Sequence, residues 1–382
     1  MRYLSSACFV LLLASVALAQ NQFVYSNNNV STGQGQPPNT VSAFLIGANG
    51  TLAQIAGSPF KTGGTGGGNN IDPEEIAIAT QNGSAFLYAA NDGSGTISAF
   101  RISPTTGYLG HVPGSPFIAD GAPGGDYSLA ASPDGNFLFA TAETTTVIHI
   151  YSISSSGALT EVSGSPYQTG ANSQGLKVTP NGQFLVVGEG SLTAVGVYSI
   201  SSGGALTPVS GSPFAASASP FDVDVNCAGT LVYVIDNGAP YNLIDAYSMA
   251  SNGSLTPVAG EPFSNGTSSV SGGLALSPNG QFLFVSDTFS NDVSSLAVAS
   301  DGALSQVPGS PFTTSNWAGG IAVTRAGRFV YSAFFTTAQI DGRIVSPNGE
   351  LKPVPGTPFS TGQSQTGVLT VITFPPRSCS VQ

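Results

Sequence analysis

Apolar residues in this chain come in short runs cut by turn residues, and nowhere do they recur at a helical period. Residues 272–312 serve as a specimen. "GGLALSPNG" is a short strand ending in a turn, and "QFLFVSD" is a second strand of aromatic and β-branched residues. "DVSSLAVASDGAL" carries a third strand into an Asp-Gly turn, and "LSQVPGSPF" is a fourth. Four strands in about 45 residues predict a small antiparallel sheet of the size used as a propeller blade.

The unit repeats. Near-copies of "GALTPVSGSPF" (204–214) begin at Gly50, Gly107, Gly157, Gly204, Gly253, Gly302 and Gly349, at spacings of 57, 50, 47, 49, 49 and 47 residues. A period near 50 marks a stacked or circular array. The expected fold is all-β: a seven-bladed β-propeller of four-stranded antiparallel blades. "FVYSNN", near the start of the mature chain, matches the second strand of the unit and "GVLTVITF", near the end, matches the first. The ring is therefore expected to close by pairing N-terminal strands with a C-terminal innermost strand. Blades fall at about 23–60 with 367–374, 74–117, 126–167, 173–214, 221–263, 272–312 and 319–359, within one domain over 20–382. Proline in Gly-Ser-Pro-Phe removes a donor from the outer edge and biases the residue before it toward an extended geometry. The Phe after it, Tyr167 in the third copy, is expected to wedge between adjacent sheets.

Composition narrows the function classes. Charged residues are 8% of the chain against a norm of roughly 25%, and hydrophobic residues at 41% are too many for disorder. A net charge of −11 argues against nucleic acid as a partner, which needs a basic stripe. Met1-Arg2, the apolar run Cys8 to Leu18 and Ala17-Leu18-Ala19 read as a signal peptide over 1–19, giving an exported, periplasmic or extracellular protein. No later segment approaches the roughly 20 apolar residues of a membrane span, and a monomer is expected. Cys227 and Cys379 remain after processing. The five residues from Phe374 to Cys379 reach about 16 Å, so a Cys227–Cys379 disulfide is expected in an exporting compartment, with two unpaired thiols or a disordered tail as the alternatives.

Candidate chemistry comes from aligning the innermost strands. Their first position reads Glu75, Ser128, Gly175, Asp222, Gly273, Gly320 and Gly367, an open collar interrupted by two carboxylates. Two residues on stand Ala77, Ala130, Lys177, Asp224, Ala275 and Ala322. A charge at a position otherwise alanine needs a partner, so Lys177 is expected to pair with Asp222 or Asp224. That cluster is either an internal salt bridge or a polar site. In the second reading Asp222, Lys177 and Glu75 are catalytic, and Asp224, Asp126, Tyr127 and Trp317 bind the ligand. The long inserts "KTGGTGGGNNIDPEE", "IADGAPGGDY", "NNNVSTGQGQPPNT" and "IDNGAPYNLID" gather on one face, where loops on a rigid scaffold usually carry function. "TGGTGGGNN" is no phosphate loop, because no helix follows it. No EF-hand or RTX-type spacing occurs, so no metal and no cofactor is assigned; Ca²⁺ is the one ion the Asp/Asn-rich loops would suit.

"SPDGNFLFATA" (132–142), "SPNGQFLFVSD" (277–287) and "FLYAAN" (86–91) resemble the YVTN-type propeller repeat. With the "GALTPVSGSPF" units, essentially the whole mature chain resembles the lactonase family of seven-bladed propellers, which includes 6-phosphogluconolactonases and muconate-lactonising enzymes. The resemblance implies His, Arg and Glu near the central channel, with cationic groups for a phosphate or carboxylate. Here His111 stands on an outer strand and His149 on a third strand, where both read as structural.

Three functions stay open. One is a lactonase-like enzyme hydrolysing a sugar lactone or related small acid lactone at the channel mouth. Another is a non-catalytic extracellular propeller that recognises carbohydrate, a cation or a protein. The last is a surface scaffold.

Overall fold

Strands at the middle of each repeat are apolar along their whole length because sheets cover both their faces. Phe184–Glu189 and Phe329–Phe334 are buried at every residue, whereas the outer triplet Leu304–Gln306 buries only its leucine. The computed structural model describes residues 21–28, 38–67, 75–119, 127–267, 269–334, 337–362 and 369–374. These residues form seven antiparallel sheets of one plan, each running from an innermost strand through second and third strands to an outer edge. We number the sheets, or blades, in chain order. Blade one contains Gln22–Asn27, and blade seven ends at Phe359–Ser360.

Blade one is assembled from both ends of the chain, as the repeat matching implies. Gln22–Asn27 pairs with Thr40–Ile46 on one side and Leu369–Thr373 on the other, with Ser26 opposite Leu369 and Gln22 opposite Thr373. Phe374 then meets the ring of Phe23 edge-on at 6.0 Å.

The outer edge differs in detail from a single fourth strand. In blade six, Leu304–Gln306 pairs with the third strand Asp292–Val298, and the chain turns away through Gly-Ser-Pro. It then returns as Phe312–Thr313 to pair with the start of that same third strand. Each of the seven repeat prolines follows a cis peptide bond. The interruption would strand one N–H of the third strand, and the hydroxyl before the proline accepts it. Ala99 N donates to Ser115 Oγ, Val197 N to Ser212 Oγ and Ser295 N to Ser310 Oγ, each at 2.9 Å, and Gly342 N to Thr357 Oγ1 at 2.7 Å. This bond explains the Ser of the motif, because a buried amide without an acceptor is costly. Blade five departs from it, with Glu261 in that place.

Seven apolar clusters fill the seven seams between blades, and each contains the Phe or Tyr that follows the repeat proline, such as Phe60, Tyr167 and Phe214. The opening Gly of the repeat is the tighter joint. A Cβ on Gly204 would lie 2.7 Å from the Phe137 ring of the preceding blade, and its φ is +85°. The matching glycines also accept hydrogen bonds across seams: Tyr25 Oη donates to Gly107 O at 2.9 Å, Tyr88 Oη to Gly157 O at 3.0 Å and Tyr331 Oη to Gly50 O at 2.7 Å. Glycine is required here by both backbone sign and space.

Candidate functional site

The innermost strand of every blade has one edge without a sheet partner. Its outward N–H groups need acceptors. Along blades five and six two side chains supply them. Asp222, on Pro220–Val225, accepts from Val223 N at 2.8 Å and from Leu274 N of the next blade at 3.0 Å. Asp224 repeats the arrangement with Val225 N and Leu276 N, both at 2.9 Å. Gly175 of blade four leaves the space: a Cβ there would come within 2.9 Å of Asp222 Oδ1. Both carboxylates thus tie adjacent blades together at the axis.

Lys177 closes the group from blade four, with Nζ 3.4 Å from Asp224 Oδ1. The ammonium side chain is 41% exposed and the carboxylate 13%. The pair opens into a cavity of about 280 Å³ that Leu276, Pro278 and Arg325 also line. Innermost strands run from the face bearing the inserts to the face bearing their turns into the second strand. Pro180, Cys227, Pro278 and Arg325 belong to those turns, so the cavity opens on the face opposite the inserts.

The other nominated residues are dispersed. Glu75 occupies the same level as Asp222, three blades away, but it is fully buried and accepts a hydrogen bond from Asn27 Nδ2 of blade one at 3.2 Å. Tyr127 is fully buried in the seam between blades two and three, with its backbone N–H on Asp92 Oδ1 at 3.1 Å. Trp317 lies 37% exposed on the insert face, its ring edge-on to Phe289 at 5.0 Å. Asp126 lies outside the described residues. Cys227 is disulfide-bonded, and Cys379, its expected partner, lies outside the described residues. Among the described residues, no group of His, Cys, Asp and Glu has a metal-binding arrangement.

Arg325 is the residue that sequence reasoning left out, being on the face without inserts. A signal was available. The turn after the innermost strand carries Pro133, Pro180 and Pro278 in three blades, and the position reads Cys227 and Arg325 in two others. Both departures line the cavity. Two cations and one carboxylate, held by backbone amides and set among apolar walls, can bind an oxyanion and a water side by side.

The family model described as "Lactonase, 7-bladed beta-propeller" matches this chain over residues 37–173, 83–223 and 127–341. Among solved structures, a candidate 6-phosphogluconolactonase from Bacteroides fragilis NCTC 9343 superposes with a TM-score of 0.74 at 17% identity, covering 94% of this chain and 99% of its own. A second candidate 6-phosphogluconolactonase, from Bacteroides uniformis ATCC 8492, gives 0.73 at 14% identity, with coverages of 92% and 99%. The periplasmic gluconolactonase of Pseudomonas aeruginosa gives 0.68 at 18% identity, with coverages of 93% and 99%. At such identities the likeness is one of fold. No curated protein matches the sequence.

Proposed function

The chain belongs to the lactonase family of seven-bladed β-propellers, and we propose that it hydrolyses an unphosphorylated sugar-type lactone in the pocket of Lys177, Asp224 and Arg325. The supporting observation is the part-exposed Lys177–Asp224 pair, whose carboxylate is held by Leu276 N and Val225 N while its cation faces the cavity. Water adds to the lactone carbonyl carbon while Asp224 takes a proton from it. Lys177 and Arg325 stabilise the oxyanion that forms. The acyl–oxygen bond of the ring then breaks, the ring oxygen takes from Asp224 the proton that Asp224 removed from the water and leaves as an alcohol, and the acid product releases its own proton to solvent as a hydroxy carboxylate. Asp224 offsets one of the two cations, which leaves too little positive charge for a phosphate dianion as well.

Export, with residues 1–19 as the signal, is part of the same proposal and suits a substrate without phosphate. Hydrolysis of unphosphorylated aldonolactones, followed by acid release at constant pH, tests the site in Lys177→Ala, Asp224→Asn and Arg325→Ala proteins. Loss of an oxyanion donor lowers kcat by about 10²–10³. Turnover that persists in all three folded variants, or is absent from the native protein, defeats the reading.

The exposed Trp317–Phe289 pair favours a second reading, carbohydrate binding on the insert face. That reading expects sugars to raise Tm in a Trp317-dependent way without turnover.

A further inference from the structure

Blade five carries three acids, Asp236, Asp245 and Glu261, where blades one and two carry neutral residues; blade six has an acid of its own, Asp287, acted on by Asp292. Its second strand, Leu231–Asp236, ends at a position that is Asn27 in blade one and Asn91 in blade two. Its third strand, Leu243–Met249, has Asp245 as third residue, where blades two and six have Ser98 and Ser294. In blade two Asn91 Nδ2 donates to Ser98 Oγ at 2.7 Å; in blade six Ser294 Oγ donates to Asp287 at 2.7 Å. Each of those pairs joins a donor to an acceptor. The same register in blade five brings two carboxyl groups together.

Asp236 is fully buried, and neither of its oxygens receives a protein hydrogen bond of ordinary geometry, although the backbone of Ala218 lies against it. Asp245, also fully buried, is satisfied from the connection between blades four and five: Ser217 Oγ donates to Oδ1 at 2.5 Å and Ser217 N to Oδ2 at 2.7 Å. The third acid, Glu261, takes the pre-proline place that is Ser or Thr in the other six repeats, and it too acts on Asp245. A buried carboxyl with no protein donor, set against a second carboxyl that already has two, is satisfied by carrying a proton itself.

We propose that Asp236, Asp245 and Glu261 form a proton-sharing carboxyl cluster that fastens the seam between blades four and five while it holds a proton and loosens it when the last proton leaves. Burial, and then the charge of Asp245, push the Asp236 carboxyl up to about 8. Burial and Asp245 push Glu261 up to about 7. The titratable groups acting on Asp236 are Asp245 from the third strand and Glu261 from beyond the outer triplet. Tyr247, from the third strand, is held neutral by burial and by these acids, and donates to Ala215 O at 2.7 Å. From the connection between blades four and five the contacts are Ser217 and the backbone of Ala218, both uncharged.

The sign follows from linkage. These folded-state values are raised, so the stability they contribute is complete below the ordinary carboxyl values of 3.8 and 4.5. It is lost as pH rises through about 7 for Glu261 and about 8 for Asp236. Because Asp236 and Glu261 interact, the fall is shared between them.

The experiment is a Tm profile against pH on the full-length protein, native and Asp236→Asn. Asparagine supplies a donor to Asp245 and copies what blades one and two use. The native Tm should fall by several degrees between about pH 4 and pH 8, while the variant falls less, the buried Asp287 of blade six contributing to both profiles, and melts higher than native at the alkaline end. Parallel native and variant profiles would overturn the proposal. Should Asp236→Asn not fold, Glu261→Ser, which restores the residue of five other repeats, must make the profile shallower; an unchanged slope counts against the cluster. Isotope-edited infrared on labelled aspartate must show at about pH 6 a protonated-carboxyl signal stronger in the native protein than in Asp236→Asn, because Asp287 contributes to both; equal signals are equally fatal. These readouts measure folding and so stand apart from the lactonase reading.

Discussion

Two adjacent glycines of the fourth repeat provide an internally controlled test of the seam. An added Cβ on Gly203 meets nothing closer than Ser201 Oγ at 3.9 Å, whereas on Gly204 it would lie 2.7 and 2.8 Å from two ring carbons of Phe137. Gly204 also has φ +85°. Alanine at Gly204 therefore carries a left-handed backbone cost of about 1–2 kcal/mol and an overpacking cost of about 1–3 kcal/mol, roughly 2–5 in total. Gly203→Ala should be neutral or stabilising by up to about 1 kcal/mol, through the unfolded chain. Urea denaturation of the two single variants reads the difference directly. Adding Phe137→Ala to Gly204→Ala removes the clash but not the backbone term, so a double-mutant cycle should return a coupling of about 1–3 kcal/mol. If Gly203→Ala and Gly204→Ala unfold at the same denaturant concentration, the glycine is not the joint we describe.

Two further predictions concern the fold. Deleting the last eighteen residues removes Leu369–Thr373 and Phe374, and should convert a single sharp unfolding transition into early, protease-sensitive opening; retention of the full-length transition would mean that blade one does not need its inner strand. Ser212→Ala leaves Val197 N without its acceptor and should cost about 1–3 kcal/mol by thermal or chemical melting; an unchanged midpoint would mean that the motif hydroxyl is not needed at the divided edge. The pocket variants and the pH profile above complete the set.

Much of the architecture was legible because it repeats. The shared register of "GALTPVSGSPF" located each seam, and the mismatch of strand type at the two ends foretold the pairing of Gln22–Asn27 with Leu369–Thr373. Lys177 was readable as a charge in a column of alanines, and it does meet Asp224. The divided outer edge was not readable. It depends on a Ser hydroxyl replacing a backbone acceptor, which no apolar pattern records. Nor does a column of first positions say where a side chain turns: Glu75 and Asp222 share a level, yet one points to Asn27 and the other to Leu274. Asp236, Asp245 and Glu261 are spread over three strand segments, and only the pairing register brings them to one place.

The closure of blade one sets a timetable for folding. Latches such as Tyr88 to Gly157 join neighbouring repeats and can form as an arc grows, but Ser26 waits for Leu369, from the far end of the polypeptide. Bringing those two segments together carries the largest loop-closure entropy of any contact in the molecule, and contacts of that separation are the slow ones. The ring should therefore complete in one late event, after six blades already stand.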